Sequence, residues 1–383
     1  MKELFQKPIN RTNDSIKWIN QTNPNALPFS IADADYQTAP VIIEALIKRI
    51  NEKHFGYSVI RDDFIGSIVS WYQNRYQAMI KPEWIIPLPD VLIAIKVAIE
   101  AFTNENDSIV IQPPVYHRFS HLIKISKRQL IENKLINNNG HYEIDFDDLE
   151  HHFKKKAKML ILCSPHNPVG RVWSKEELQK IIDLCLKYRI YLISDEIHGD
   201  LINPYKSFLS ITKWHNDYAP FIICSSSSKT FNLAGLRTGY AIIPELEIRK
   251  KYQEQISCSC IPSINLLGMV ATTAAYTKGG NWVNCQNEHL ANNYEILKSF
   301  IKNHLPNVFV TPLEGTYLCW LDFTYYQLKG VELVELFSKH GVTVSNGASF
   351  GIDYEGFIRF NIACPTKQLV TALNLIKEAL KKR

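Results

Sequence analysis

An α/β fold, a mostly parallel seven-stranded-type sheet covered by helices with a smaller α+β domain, is predicted by three observations. Between about residue 40 and residue 285, helical patterns alternate with short apolar runs, the order that builds a parallel sheet. Each run ends in small or polar residues. After about 285 the pattern changes to a long helix, the strands TYLCWLDF and GFIRFNIA, and a final amphipathic helix.

The elements follow in order. A proline-started helix covers VIIEALIKRI, and apolar residues at 64, 65, 68, 69, 72 and 76 mark a second. DVLIAIKVAIEAF opens at Asp90, whose short carboxylate suits an N-cap. SIVIQPP, KMLILCSPHNP, IYLISDE, FIICSSSS and YAIIP read as strands. SKEELQKIIDLCLKYR, between two of them, opens with a capping box formed by Ser174 and Glu177. The expected division is a cofactor-binding domain over 46–285, a small α+β domain over 286–383, and a segment 1–45 that joins the small domain.

Composition narrows the function. The 383 residues are enough for two domains, and 46% hydrophobic with 21% charged residues describes a soluble globular chain. The net charge of +5 is spread along the sequence, and its one cluster, KKKAK at 154–158, fits a solvated helix end, so nucleic acid is not implied. MKELFQKPINRTNDS has no apolar stretch after its charges and no run approaches the roughly 18 apolar residues of a membrane span, so the expectation is a cytoplasmic chain with no membrane partner. Most of the eight cysteines lie in apolar runs and read as buried thiols, while Cys258 and Cys260 lack a second ligand pair nearby, so no metal is expected.

Ligands of open α/β sheets bind outside the carboxyl ends of the strands, where this chain carries Tyr116, His166, Asn167, Asp195, His198 and Lys229. Lys229 follows four serines, with Arg237 eight positions on. A nucleophilic lysine must be desolvated or held beside another cation, and Arg237 supplies such a field. The serines and loop amides offer donors for an anion such as phosphate. Lysine, anion cradle and arginine together point to a phosphorylated aldehyde held as an imine, the pyridoxal phosphate arrangement. Such a ring needs a carboxylate opposite its nitrogen, for which Asp195 is the candidate. Asn167 and His198 are placed to bond the phenolic oxygen, and Tyr116 to stack on the ring.

PFSIADADY, FGYS, PPVYHRF, CSPHNPVGRVW, SDEIHGD, SKTFNLAGL, EGTYLCWLDF and GFIRFNIACP, in this order, resemble a fold-type I (aminotransferase-type) pyridoxal phosphate enzyme of the cystathionine β-lyase or cysteine-S-conjugate β-lyase branch. The resemblance implies that Lys229 is the imine lysine and Asp195 the pyridinium partner. It assigns the phosphate to Ser226, Ser228, Arg237 and the helix start at Val91, helped by Tyr57 from a second subunit of a homodimer. Arg359 would clamp the substrate carboxylate, and Tyr36 is a further substrate-side candidate. The implied reaction is β-elimination from L-cystathionine or another L-cysteine S-conjugate, with an aminotransferase, or a cofactor-bearing regulator acting through protein contacts, as the alternatives. Two departures stand out: Asp90 where the family carries glycine, and Ser30 and Ala34 where it carries tryptophan and methionine. If that first segment lines the pocket, the pocket is wider or more polar than usual.

Overall fold

The structure, a computed structural model, describes all residues except 10, 12, 13, 20–22, 24, 215–219, 382 and 383. Its larger sheet is built from β1 (Ile85–Leu88), β2 (Ser108–Ile111), β3 (Gln129–Glu132), β4 (Met159–Cys163), β5 (Tyr191–Asp195), β6 (Phe221–Ser225) and β7 (Gly239–Ile242). Their spatial order is β1-β7-β6-β5-β4-β2-β3. All run parallel except β7, which pairs antiparallel with both neighbours. Apolar runs without alternation produce this result because both faces are covered. Ile109, Ile111, Met159, Ile161, Ile193 and Ile222 pack on one face with α3 (Val91–Phe102), while Val110, Leu160, Leu162, Leu192 and Ile223 enter the main core on the other.

Register sets the site. Cys163 lies beside Asp195, and Asp195 beside Cys224, so β4, β5 and β6 end level at their carboxyl edge. On the face opposite α3, helices α1 (Pro40–Ile50) and α2 (Asp62–Trp71) both pack on α5 (Leu266–Lys278). The capping box that starts α4 (Lys175–Tyr188) has both its bonds, Glu177 N to Ser174 Oγ at 3.1 Å and Ser174 N to Glu177 Oε2 at 2.7 Å.

The second sheet contains β8 (Phe309–Val310), β9 (Leu318–Asp322), β10 (Ser345–Asn346) and β11 (Phe357–Asn361), all antiparallel, in the order β8-β9-β11-β10. The N-terminal segment joins it: Leu27–Pro28 pairs with Val342–Thr343, and Asn361 N donates to Phe29 O at 2.9 Å. Helix α6 (Gly280–His304) runs unbroken through residue 285, so the boundary expected there falls inside a helix. No helix among the described residues is long and apolar enough to cross a membrane, and none of them cluster as metal ligands. Cys163, Cys185, Cys224, Cys319 and Cys364 are buried, whereas Cys258 and Cys260 are exposed.

Candidate active site

A cavity of about 340 Å³ opens at the carboxyl edge of β4, β5 and β6. Lys229, Asp195, His198, Asn167, Tyr116, Ser226, Ser228, Arg237, Val91 and Arg359 all line it. Tyr57 and Tyr36 do not.

Lys229 is carried on the single helical turn Ser228–Phe231, and its neighbours pin that turn. Thr230 Oγ1 donates to buried Asp200 at 2.9 Å, Ser227 bonds Thr272 at 2.8 Å, and the Asn232 amide holds the backbone of residues 34 and 36. Lys229 Nζ donates to Ala32 O at 2.7 Å and forms no ion pair among the described residues. Burial lowers its pKa against the raising pull of Asp33, and Arg359 lowers it further. Asp33 itself is paired with Arg11 at 2.6 Å. The result is a fixed amine biased toward its neutral, nucleophilic form.

Asp195, at the end of β5, accepts from Ile197 N at 3.1 Å, yet burial pushes its carboxyl up to about 7. A buried carboxylate of this kind gains from a cationic N–H placed against it. Burial takes His198 down to about 3, with Lys229 and Arg359 adding to the effect, so the ring is neutral. Its Nδ1 is buried without a partner among the described residues. Such an orphan calls for a ligand.

Arg359, on β11, reaches across from the second sheet. Its guanidinium donates to Asn167 Oδ1 at 3.1 Å, Ser30 O at 2.8 Å and Ser345 Oγ at 3.3 Å, and stacks over Phe350 at 4.8 Å. Three acceptors leave two of its five N–H groups unspent, and Nε is buried without a partner. No carboxylate pairs with it among the described residues, and burial lowers its pKa to about 10. A buried guanidinium lacking an anion is able to take a carboxylate.

The opposite end of the cavity is built for an anion. The first turn of α3 presents the amides of Val91 and Leu92, which have no partner within the helix. Ser226 lines this end, but its hydroxyl donates to Thr238 O at 2.6 Å and accepts from Ser228 N at 3.0 Å, so in this arrangement it has no proton to give an anion. Arg237 is well exposed and pairs with Asp90 at 2.6 Å. Asp90 therefore faces the anion end instead of turning away.

Two expected residues are placed elsewhere. Tyr36 is fully buried against Phe5, Trp282 and His289, its hydroxyl without a partner, so its assignment to the substrate pocket is corrected to the core. Tyr57 is fully exposed and lies outside the cavity of its own chain. The 30–34 segment does line the cavity, through Ile31 and Ala32. Ser30 meets Arg359 with its carbonyl, and Ala34 is buried.

His117, Cys163, Ala32 and Thr238 are cavity residues that the sequence reading missed. His117 could have been found as the residue after Tyr116. Ala32 and Thr238 act through carbonyls, for which a sequence carries no signal.

The arrangement offers an amine, a carboxylate for a ring nitrogen, a guanidinium for a carboxylate and a helix start for an anion, all at one strand edge. Comparison with known proteins finds relatives along nearly the whole chain. Cystathionine beta-lyase PatB of Bacillus subtilis is 36% identical over 377 residues, 96% of each chain. The crystal structure of cystalysin from Treponema denticola, which contains a pyridoxal 5'-phosphate cofactor, superposes with a TM-score of 0.95 at 34% identity over 99% of this chain and 98% of that one. That of the pyridoxal phosphate-bound C-S lyase from Staphylococcus hominis gives 0.92 at 31% identity, over 98% and 97%. The model of the family "Aminotransferase class I and II" matches residues 24–376, and the chain belongs to that family.

Proposed function

We propose that the cavity holds pyridoxal 5'-phosphate and that the chain is a carbon–sulfur β-lyase, cleaving L-cystathionine or another L-cysteine S-conjugate to a thiol, pyruvate and ammonia. The observation that carries this reading is the convergence of Lys229, Asp195 and Arg359 on one cavity. The residues present fit the cofactor: the orphaned His198 Nδ1 and the Asn167 amide suit a phenolic oxygen, and the α3 amides suit a phosphate. When bound, the cofactor supplies an aldehyde for amine chemistry and a ring that accepts the electron pair left at Cα.

The chain's own residues do the rest. Lys229 would hold the aldehyde carbon of the cofactor, and its Nζ, when free, would take the proton from the substrate's Cα. Its lowered pKa serves both tasks. Asp195 would keep the ring nitrogen protonated, Tyr116 would cover the ring, and Asn167 with His198 would hold the phenolic oxygen. Ser228, Arg237, the Val91 amide and Ser226, its hydroxyl turned from Thr238, would hold the phosphate. Arg359 fixes the substrate carboxylate with its unspent N–H groups, which orients the Cα–H bond toward Lys229. The proton that Lys229 takes from Cα would pass to the departing thiolate, and water would complete the release of pyruvate and ammonia.

The chain works as a cytoplasmic homodimer whose site is shared, with Tyr57 completing the phosphate seat of the second subunit. What supports this is a run of exposed apolar side chains, Phe55, Tyr57, Val59 and Ile60, beside the exposed Ile43, Ile47 and Ile50 of α1. The division at 45 and 285 is retained as a functional one, with Arg359 as the substrate-side contribution of the C-terminal part.

Purified protein loaded with pyridoxal phosphate is expected to release thiol and pyruvate from L-cystathionine, and borohydride is expected to fix the cofactor on the peptide that contains Lys229. Absence of both products with the cofactor fully bound sinks the reading. An aminotransferase would share Lys229 and Arg237 but would require a keto-acid acceptor.

A further inference from the structure

Asp90 carries out two tasks at the anion end of the cavity. Its Oδ1 accepts from Ile93 N at 2.8 Å, which caps α3, and its Oδ2 pairs with Arg237 Nη2 at 2.6 Å. The carboxylate is about three-quarters buried, and Gly239 of β7 lies against its backbone. A Cβ on Gly239 would sit 3.2 Å from the Asp90 carbonyl carbon, so the cap is wedged against the sheet. The helix start, Ser226, Ser228 and Thr238 line the same cavity.

These contacts use the groups an incoming anion needs. The Ile93 amide is already bonded, the charge of Arg237 is already neutralised, and a fixed negative charge occupies the seat. We propose that Asp90 is an internal competitor of the phosphate: it occupies the Ile93 amide and Arg237 while the Val91 and Leu92 amides stay open, and a phosphate must displace it from Arg237 and sit beside its charge. Asp90 is thus a positioning residue that sets cofactor affinity. The chain binds a phosphorylated cofactor more weakly, and releases it faster, than the same chain with a neutral residue at 90. This inference rests on the phosphate-bearing cofactor proposed above.

Asp90→Asn tests it, because asparagine caps a helix as well as aspartate and removes only the charge. Dissociation constants of pyridoxal phosphate and of unphosphorylated pyridoxal are measured by absorbance on cofactor-free protein. The thermal shift caused by inorganic phosphate is read alongside. The expected result is about tenfold tighter pyridoxal phosphate binding in Asp90→Asn with pyridoxal unchanged. Inorganic phosphate should raise the melting temperature more in the variant than in the parent. Asp90→Ser, a second neutral cap, serves if the first variant does not fold. Equal or weaker pyridoxal phosphate binding in the neutral variants overturns the proposal, as does an equal gain for pyridoxal. If parent and variant both fail to bind pyridoxal phosphate, the functional reading falls, and this inference with it.

Discussion

Arg359 Nη1 donates to Asn167 Oδ1 at 3.1 Å, joining the second sheet to the exit of β4. The group that would take the substrate carboxylate is thereby fixed to a group that would touch the cofactor ring. That hydrogen bond couples the two sheets, so a shift of either would be felt at both residues.

Arg359→Lys keeps a cation but loses the planar fork. The variant is expected to lose about 10²-fold in kcat/KM, mostly as a rise in KM, since carboxylate anchoring is made in the ground state as well. Steady-state kinetics over a range of S-conjugates will separate the two constants. Unchanged KM would remove Arg359 from the substrate.

In cofactor-free protein, Asp195 imposes a pH dependence whose sign is fixed by its raised pKa. Below the ordinary value of 3.8 the carboxyl is protonated in folded and unfolded chains alike, and its stabilising contribution is fully present. That contribution is lost as pH rises through about 7, where the folded chain must ionise a buried carboxyl. Asp195→Asn has no proton to lose, so its stability advantage over the parent should grow with pH, reaching roughly 2–4 kcal/mol above pH 8. Thermal melts of the two cofactor-free proteins across this range provide the check. The same variant, once loaded, should lose activity by about 10³-fold or more, since the ring nitrogen has no anionic partner.

Tyr36→Phe removes a buried hydroxyl that has no partner. The expected result is unchanged kinetics and a melting temperature equal to or above the parent's, because no hydrogen bond is lost. A rise in KM would return Tyr36 to the substrate side.

Shared sites predict complementation. Lys229→Ala and Tyr57→Ala are each expected to be strongly impaired as homodimers. In a mixed dimer one site receives both substitutions and the other neither, so activity should return on mixing and subunit exchange. No recovery, with exchange shown by mass spectrometry, would place Tyr57 outside the partner's site.

Much of the site was legible because the strand exits in an α/β sheet share an edge, so Asn167, Asp195 and Lys229 could be placed together from chain order alone. Arg359 was legible only through the resemblance carried by GFIRFN, whose apolar flanks fit a buried arginine. What the sequence hid depends on distant side chains. Tyr36 follows IADAD as any pocket tyrosine could, but Phe5 and Trp282 enclose it. The Ser226 hydroxyl looked free until the Thr238 carbonyl was seen beside it. Asp90 was read correctly as an N-cap, yet its second oxygen meets Arg237, 147 positions away, a pairing only the antiparallel placement of β7 makes.

The most direct test of the β-lyase assignment is pyruvate formation from L-cystathionine by the loaded enzyme, followed with and without an added keto acid. The account predicts pyruvate, ammonia and thiol in equal amounts at a rate that the keto acid leaves unchanged. Turnover that stops when the keto acid is withheld, with no thiol released, would contradict it.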